Sequence, residues 1–169
     1  AVKLLLMDQD GKIIKIASRD YPILFPKLGW AEQNPEDWYV QTIDGLKELL
    51  SDIDKEQVAG IGFGGQMHGL VVLDKDDNVI RPTILWNDNR TAAETDYLNY
   101  EIGKDKLSEY TANIAFAGFT APKILWMRKH EPENFERIAK IMLPKDYIAY
   151  KLTGVHCSDP SDASGTIFY

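Results

Sequence analysis

The chain has 169 residues, 44% of them hydrophobic, and 26 acidic against 19 basic side chains leave a formal net charge of −7 at pH 7. That length supports one domain with a hydrophobic core, and acidic charge spread along the sequence without a basic stripe argues against a nucleic-acid partner. Cys157 is the single cysteine, which excludes an internal disulfide and a Cys-rich metal knuckle and fits a reducing cytoplasm. No apolar run nears the ~20 residues of a membrane span and no leader-type segment opens the chain, so a soluble protein without a membrane partner is expected.

In chain order, AVKLLLMD and KIIKIAS flank the turn DQDGK and predict a β-hairpin. Asn34 as N-cap, Pro35 at the first helical position and the acids Glu36 and Asp37 predict a helix start. Tyr39, Ile43, Leu46 and Leu50 give that helix an apolar stripe. VAGIGF and LVVLD predict two buried strands, the second closed by KDDN before VIRP resumes an extended path. Thr91 and Glu94 have capping-box spacing, so a helix is expected from Thr91 towards Ile102, with a second over Lys104 to Tyr110. Thr120-Ala121-Pro122-Lys123 opens a further helix carrying Ile124, Leu125 and Met127. There follow a helix near Glu133 to Ala139, a strand at KIML, and a helix PKDYIAYKLTG ended by Gly154. SDPSDASGTIFY reads as a loop leading into another strand. The fold class is α/β, with no internal repeat and no low-complexity linker.

The stretch GIGFGGQMHGLVVLD, residues 60–74, sets a glycine-dense turn between two of these strands. Gly62, Gly64, Gly65 and Gly69 allow positive φ and close approach of the backbone to another group; helix packing over the sheet is an equally good steric reason for them. The turn lacks the Gly-Lys-Ser/Thr ending of a phosphate loop and the glycine spacing of the dinucleotide fingerprint. Gln66, Met67 and His68 stand where one strand has stopped and the next has not begun, which is where open α/β sheets bind ligands. Gln66 and His68 donate and accept hydrogen bonds, as a polyhydroxylated ligand requires, and Met67 offers an apolar face. The competing reading makes His68 a satisfied structural group. His68 has no partner at metal-ligand spacing. LWNDNRT sets Trp86 beside Asn87, Asp88, Asn89 and Arg90, either an aromatic wall with groups for sugar hydroxyls or a core tryptophan followed by a helix cap at Asp88 or Asn89. AGFTAPKILW is explained locally as turn, N-cap and helix, and SDPSDASGT, with no histidine beside it, as turn chemistry.

Taken together, GQMHGLVVLD, LWNDNRT, GFTAPKILWMRKHEPE, LPKDYIAYKLTG and SDASGT resemble, in this order, the first half of the xylulose kinases within the FGGY family of carbohydrate kinases, which also includes glycerol and gluconate kinases. WAEQNPEDWY, around Gln33 and Asn34, fits the same pattern upstream. The resemblance implies an actin-like, ribonuclease-H-like fold, a mixed sheet flanked by helices, in which residues 1–169 form an incomplete N-terminal sugar-binding domain of a two-domain kinase. It implies transfer of the γ-phosphate of ATP, with Mg²⁺, to the 5-hydroxyl of D-xylulose or a similar ketopentose. Met67 and His68 would contact the ketose, with Gln66 in the same turn. Glycerol kinases resemble this stretch but carry Arg-Glu at the Met67-His68 positions. Trp86, Asn87 and Asp88 would shape the pocket floor.

Two parts of the family pattern are missing from 1–169. The first is an Asp-Leu-Gly-Thr-Ser type turn that approaches the ATP phosphates; its strand would lie between the opening hairpin and VAGIGF, so a gap in the sheet is expected. The second is the catalytic aspartate, expected beyond Tyr169 together with the adenosine contacts. No catalytic, cofactor-binding or metal-binding residue is therefore expected in this stretch, which alone would recognise sugar without phosphorylating it. A homodimer is compatible with the family. The rival expectations are a kinase for ribulose, gluconate or glycerol, and a non-catalytic actin-like binding module.

Overall fold

A computed structural model describes residues 1–168, and the chain divides into two compact units, residues 1–22 with 36–63 and residues 23–35 with 64–169.

In the first unit, β1 (Val2–Met7) and β2 (Ile13–Arg19) form the expected antiparallel hairpin, in register from Val2↔Arg19 to Leu6↔Lys15 and slipping at Met7↔Ile13. Asp8 builds the turn by accepting from the amides of Asp10 at 3.0 Å and Lys12 at 2.9 Å, and Gly11 takes the left-handed backbone at φ 80°. Helix α1 (Pro35–Leu49) starts where Asn34-Pro35 predicts. Its most buried positions are Trp38, Thr42, Gly45 and Leu49. The predicted stripe of Tyr39, Ile43, Leu46 and Leu50 lies one position off that line, at its half-buried edge. The reason is Gly45: with no side chain it lets Leu4 of β1 into the helix surface, since a Cβ there would collide with the Leu4 side chain. Leu4, Ala17 and Leu49 form the core of this unit with Val2, Leu6, Leu46 and Leu50 around them.

After the short 3₁₀ turn Lys55–Gln57, capped by Asp54, the segment 58–63 forms no strand among the described residues, and Ile61 and Phe63 are exposed. The expected buried strand VAGIGF is thus corrected. Apolar composition marks an affinity for burial, but a strand exists only where a neighbouring backbone supplies ladder partners.

The second unit is built on short antiparallel pairings. Strand β3 (Glu32–Gln33) pairs with β5 (Thr83–Ile84), β4 (Val71–Leu73) pairs with β6 (Lys140–Met142), and the bridges Leu24↔Glu32, Leu70↔Ile84 and Leu73↔Val79 connect them. Every pairing among the described residues is antiparallel, so the parallel part of the expected mixed sheet is not among them. Helices α2 (Ala92–Asp96), α3 (Lys104–Thr111), α4 (Thr120–His130), α5 (Pro132–Glu136), α6 (Pro144–Thr153) and α7 (Pro160–Ala163) complete the α/β unit. Leu70, Val72, Ile84, Trp126 and Met127 are the main core, and Leu98, Leu107, Ala115, Ala121 and Ile167 a second.

Four expectations change here. Thr91 does not cap α2 with its side chain; its hydroxyl donates instead to the Ala117 carbonyl at 2.8 Å, because Thr91 is fully buried beneath that loop. The predicted helix to Ile102 passes after Asp96 into a π-helical stretch, Tyr97–Gly103, where Asn99 exchanges two hydrogen bonds with the backbone of Ala115. SDPSDASGTIFY is helical where loop and strand were expected: Asp159 accepts from the amides of Ser161 and Asp162, which starts α7, and the 3₁₀ turn Ser164–Thr166 follows. Tyr169 of that stretch lies outside the described residues. The helix expected to reach Ala139 ends at Glu136: Arg137 and Ile138 still turn back on Asn134 and Phe135, and Ala139 donates to the Leu73 carbonyl of β4 at 2.9 Å.

Candidate functional site

The pairing of Leu70 with Ile84 sets the stage. In an antiparallel register, two residues beyond that bridge put His68 on one segment and Trp86 on the other at the same end of the ladder. The two stretches singled out in the sequence, 66–68 and 86–88, therefore leave the same end of this pairing.

Gly69 N donates to the Met67 carbonyl at 2.8 Å, closing a three-residue turn around His68, whose φ is +62°. This is the rarer form of γ-turn, and left-handed backbone at a non-glycine residue costs of order 1–3 kcal/mol. Two side chains of α4 hold the strained carbonyl from inside: Thr120 Oγ1 donates to His68 O at 3.2 Å and Lys123 Nζ at 2.6 Å. Positive φ at Gly62, Gly64, Gly65 or Gly69 is not what the turn uses; the one residue of the turn with it is His68. Gly69 serves close approach, since a Cβ there would sit 2.6 Å from Pro144 Cγ at the start of α6. Gly65 does the same against Lys145, with 3.1 Å to its Cβ.

The His68 ring stacks on Phe119, centroids 4.2 Å apart at 28°, and Gly165 crowds its Cε1 and Nδ1 atoms, where a Cβ would lie 2.6 Å from His68 Cε1. Its Nδ1 is buried and makes no well-formed hydrogen bond among the described residues, the Gly165 backbone being the polar group that acts on the ring. Burial first, and the charge of Lys123 second, hold the His68 pKa below the ordinary histidine value, against the upward pull of the Gly165 backbone and the Asp162 carboxylate. The imidazole is thus kept neutral at pH 7, able to donate from one nitrogen and accept at the other.

Gly165 is fixed by a charge cluster the sequence reading took for ordinary turn chemistry. Lys145 Nζ meets Asp146 at 2.5 Å, Asp159 at 2.7 Å and Asp162 at 3.4 Å, tying α7 to the first turn of α6. Burial pushes the Lys145 pKa down, but hydrogen bonds to Asp146 and Asp159 outweigh it and raise it above the ordinary lysine value. The same lysine, with Ser161, holds the Asp159 carboxyl far below the usual carboxylate range.

Gln66 Nε2 donates to Gln33 Oε1 at 2.9 Å, and Met67 is 46% exposed. Trp86 is 51% exposed and Asn87 is exposed, both able to meet a ligand. Asp88 is not placed for that. It is fully buried; its carboxylate accepts from Ala31 N at 2.6 Å, Arg90 N at 2.9 Å, Arg90 Nε at 2.9 Å and Arg90 Nη2 at 2.7 Å. Arg90 in turn lies 3.7 Å from the centroid of Trp30, 4.9 Å from that of Trp126, and pairs with Glu32 at 2.7 Å. Asp88 therefore anchors the loop that presents Trp86 and Asn87. Asp88 was expected in the pocket floor; every acceptor direction of its carboxylate is occupied by Ala31 and Arg90.

Sequence reasoning missed Lys123. It is fully buried in α4, and Nζ donates both to His68 O and, at 2.7 Å, to Gly118 O. Burial pulls its pKa down to about 7, against the attraction of Asp88 and with the help of Arg90. The available signal was a lysine within an otherwise apolar helix start, TAPKILW. Phe119 and Gly165 carried no such signal.

The family model describing the N-terminal domain of FGGY carbohydrate kinases matches residues 1–169. The chain belongs to the FGGY family of carbohydrate kinases. A xylulose kinase of Staphylococcus xylosus is 46% identical over 169 residues, covering 100% of this chain and 35% of that protein. Among solved FGGY-like structures, a kinase of Brucella ovis described as a xyloylose kinase superposes with a TM-score of 0.92 at 40% identity, covering 98% of this chain and 34% of that one. A gluconate kinase of Lactobacillus acidophilus superposes with a TM-score of 0.91 at 28% identity, covering 98% and 33%. The expected actin-like α/β fold of these kinases is thereby established for the chain, which spans about a third of the length of the relatives it matches.

Proposed function

We propose that this chain is the sugar-recognition part of an ATP-dependent kinase that phosphorylates the 5-hydroxyl of D-xylulose. The observation that carries the reading is the His68 turn: an imidazole packed on Phe119 and crowded by Gly165, on a strained backbone, next to the exposed Met67. Strain of this kind persists where the surroundings over-determine it, which is a feature of binding sites. A ketopentose presents hydroxyls and a carbonyl on a short carbon chain. His68 and Gln66 supply groups that both donate and accept, Met67 and the exposed Trp86 supply apolar surface for the C–H face, and Asn87 adds an amide. The names of the 46%-identical relative and of the Brucella ovis kinase support a five-carbon ketose.

ATP and Mg²⁺ would supply the phosphoryl group and neutralise its charge. Among the described residues no group of three or more His, Cys, Asp or Glu side chains is placed to hold a metal ion, so these residues do not by themselves form a metal site. What these residues do is bind and orient the sugar, leaving the transfer machinery, including the catalytic aspartate, to other parts of the polypeptide. Among the described residues no helix is long and apolar enough to cross a membrane.

The test is calorimetric titration with D-xylulose, ribulose, gluconate and glycerol, for the protein and for His68→Ala. D-xylulose should bind best, and the alanine variant should lose about tenfold in affinity, the size of one hydrogen bond to a buried group. Preference for gluconate or glycerol would overturn the sugar assignment, and unchanged D-xylulose affinity in His68→Ala would remove His68 from the site.

A further inference from the structure

We propose that Lys123 is a positioning residue of the sugar site: by donating to the His68 and Gly118 carbonyls at once, it fixes the imidazole and the Trp86 loop in the one arrangement that accepts a ketopentose. The inference rests on the sugar reading above and extends it to a residue that touches no ligand.

Lysine is almost never fully buried without a specific partner, because the cost of removing an ammonium or amine from water must be met by hydrogen bonds. Here the partners are two carbonyls that no strand ladder satisfies. The His68 carbonyl is turned into the interior by its left-handed backbone, where Lys123 Nζ at 2.6 Å and Thr120 Oγ1 at 3.2 Å reach it. The Gly118 carbonyl lies 2.7 Å from the same Nζ. Each carbonyl belongs to a wall of the proposed pocket. His68 carries the imidazole itself. Gly118 packs so closely on the Trp86 carbonyl that a Cβ on it would collide there, and the next residue, Phe119, stacks on His68. One nitrogen therefore joins the turn 66–69, the loop 116–119 and, through it, the loop 86–91.

The chemistry of the nitrogen agrees with a positioning role. Lys123 has two carbonyl acceptors and a neutral amine has two N–H donors, so the uncharged form fills both without burying a third donor. The charged groups facing it are Asp88 and Arg90, already paired with each other at 2.7 Å. A methionine of similar volume would preserve the packing of α4 but release both carbonyls, and the γ-turn would lose the donors that hold it.

The experiment compares the full-length protein with Lys123→Met, Thr120→Val and, as a control, Phe135→Leu, a half-buried α5 residue packed against the main core. D-xylulose affinity is measured by calorimetry, folding by circular dichroism and urea, and the His68 imidazole by ¹⁵N NMR. Lys123→Met is expected to weaken D-xylulose binding about tenfold or more and to shift the His68 imidazole resonances. Phe135→Leu is expected to lower stability while moving neither. Wild-type affinity with unshifted His68 resonances in folded Lys123→Met overturns the proposal. Should Lys123→Met fail to fold, Thr120→Val decides: a loss of about threefold in affinity with a shifted His68 supports it, and no change in either overturns it. If the wild-type protein does not bind D-xylulose, the sugar reading falls, and the resonance shift alone still decides whether Lys123 sets the His68 turn.

Discussion

Replacing Asp88 by alanine removes the acceptor for four hydrogen bonds at one fully buried point. Breaking a buried ion pair by deleting one partner costs about 3–5 kcal/mol, because the other charge stays behind in a poor solvent. Arg90 keeps Glu32 at 2.7 Å, which places its share at the low end of that range, about 3 kcal/mol. Two backbone amides, of Ala31 and Arg90, lose their acceptor, at about 1 kcal/mol each for groups left unsatisfied. The expected total of about 5 kcal/mol is a large part of the stability of a domain this size and corresponds to a fall in Tm of roughly 10–20 °C. Urea unfolding followed by tryptophan fluorescence is the assay, since Trp30 and Trp126 both pack on Arg90. A loss below about 1 kcal/mol would refute the reasoning, because it would mean that water or Glu32 already satisfies Arg90 without Asp88. An Asp88→Ala protein of undiminished stability that lost its sugar affinity would restore Asp88 to the pocket floor.

Gly69→Ala should cost about 1–3 kcal/mol in urea, as overpacking against Pro144 and Thr83 demands, whereas Gly62→Ala, whose Cβ meets nothing, should be neutral or stabilising by about 0.5 kcal/mol. Lys123, held at about pKa 7 when folded, binds its proton more weakly folded than unfolded; its penalty is fully present below pH 7 and is relieved as pH rises from 7 towards the ordinary lysine value. The stability difference between wild type and Lys123→Met should therefore shift in favour of wild type from pH 7 to pH 9, and a flat difference would show the amine to be solvated. Lys145→Ala should raise hydrogen exchange across residues 159–166 by releasing Asp159 and Asp162, with a global cost of about 1 kcal/mol or less because Asp159 is half exposed to solvent. Unchanged exchange there would show that the backbone caps of α7 hold the segment unaided.

What was legible in the sequence was local chemistry. Asn34-Pro35, Thr120-Ala121-Pro122 and Leu143-Pro144 each begin a helix where predicted, and the β1–β2 turn forms around Asp8 and Gly11. LVVLD was read as a buried strand from its unbroken apolar run, and Val71, Val72 and Leu73 are fully buried. The same reasoning failed at 58–63, whose composition is equally apolar, because no strand runs beside it among the described residues. The site was partly legible. Gln66, Met67 and His68 announced themselves as polar and soft groups in a glycine-rich turn, and the register of Leu70 with Ile84 brings Trp86 to the same end of the pairing. The glycines were legible as a group but not by role, since whether a missing Cβ matters depends on Pro144 and Lys145, some eighty residues away.

The sequence by itself determined the elements that follow from neighbouring residues: caps, turns, apolar runs, and the ordered set of motifs shared with the FGGY kinases. Tertiary structure alone decided which polar groups are spent. Asp88 and Asn87 are adjacent in sequence and alike in composition, yet one is consumed by Arg90 and Ala31 and the other is left exposed. Lys123 reads as a surface lysine until α4 turns it onto two carbonyls. The physical reason is that a side chain's availability is set by burial and by partners distant along the chain, and neither is a property of the residues beside it.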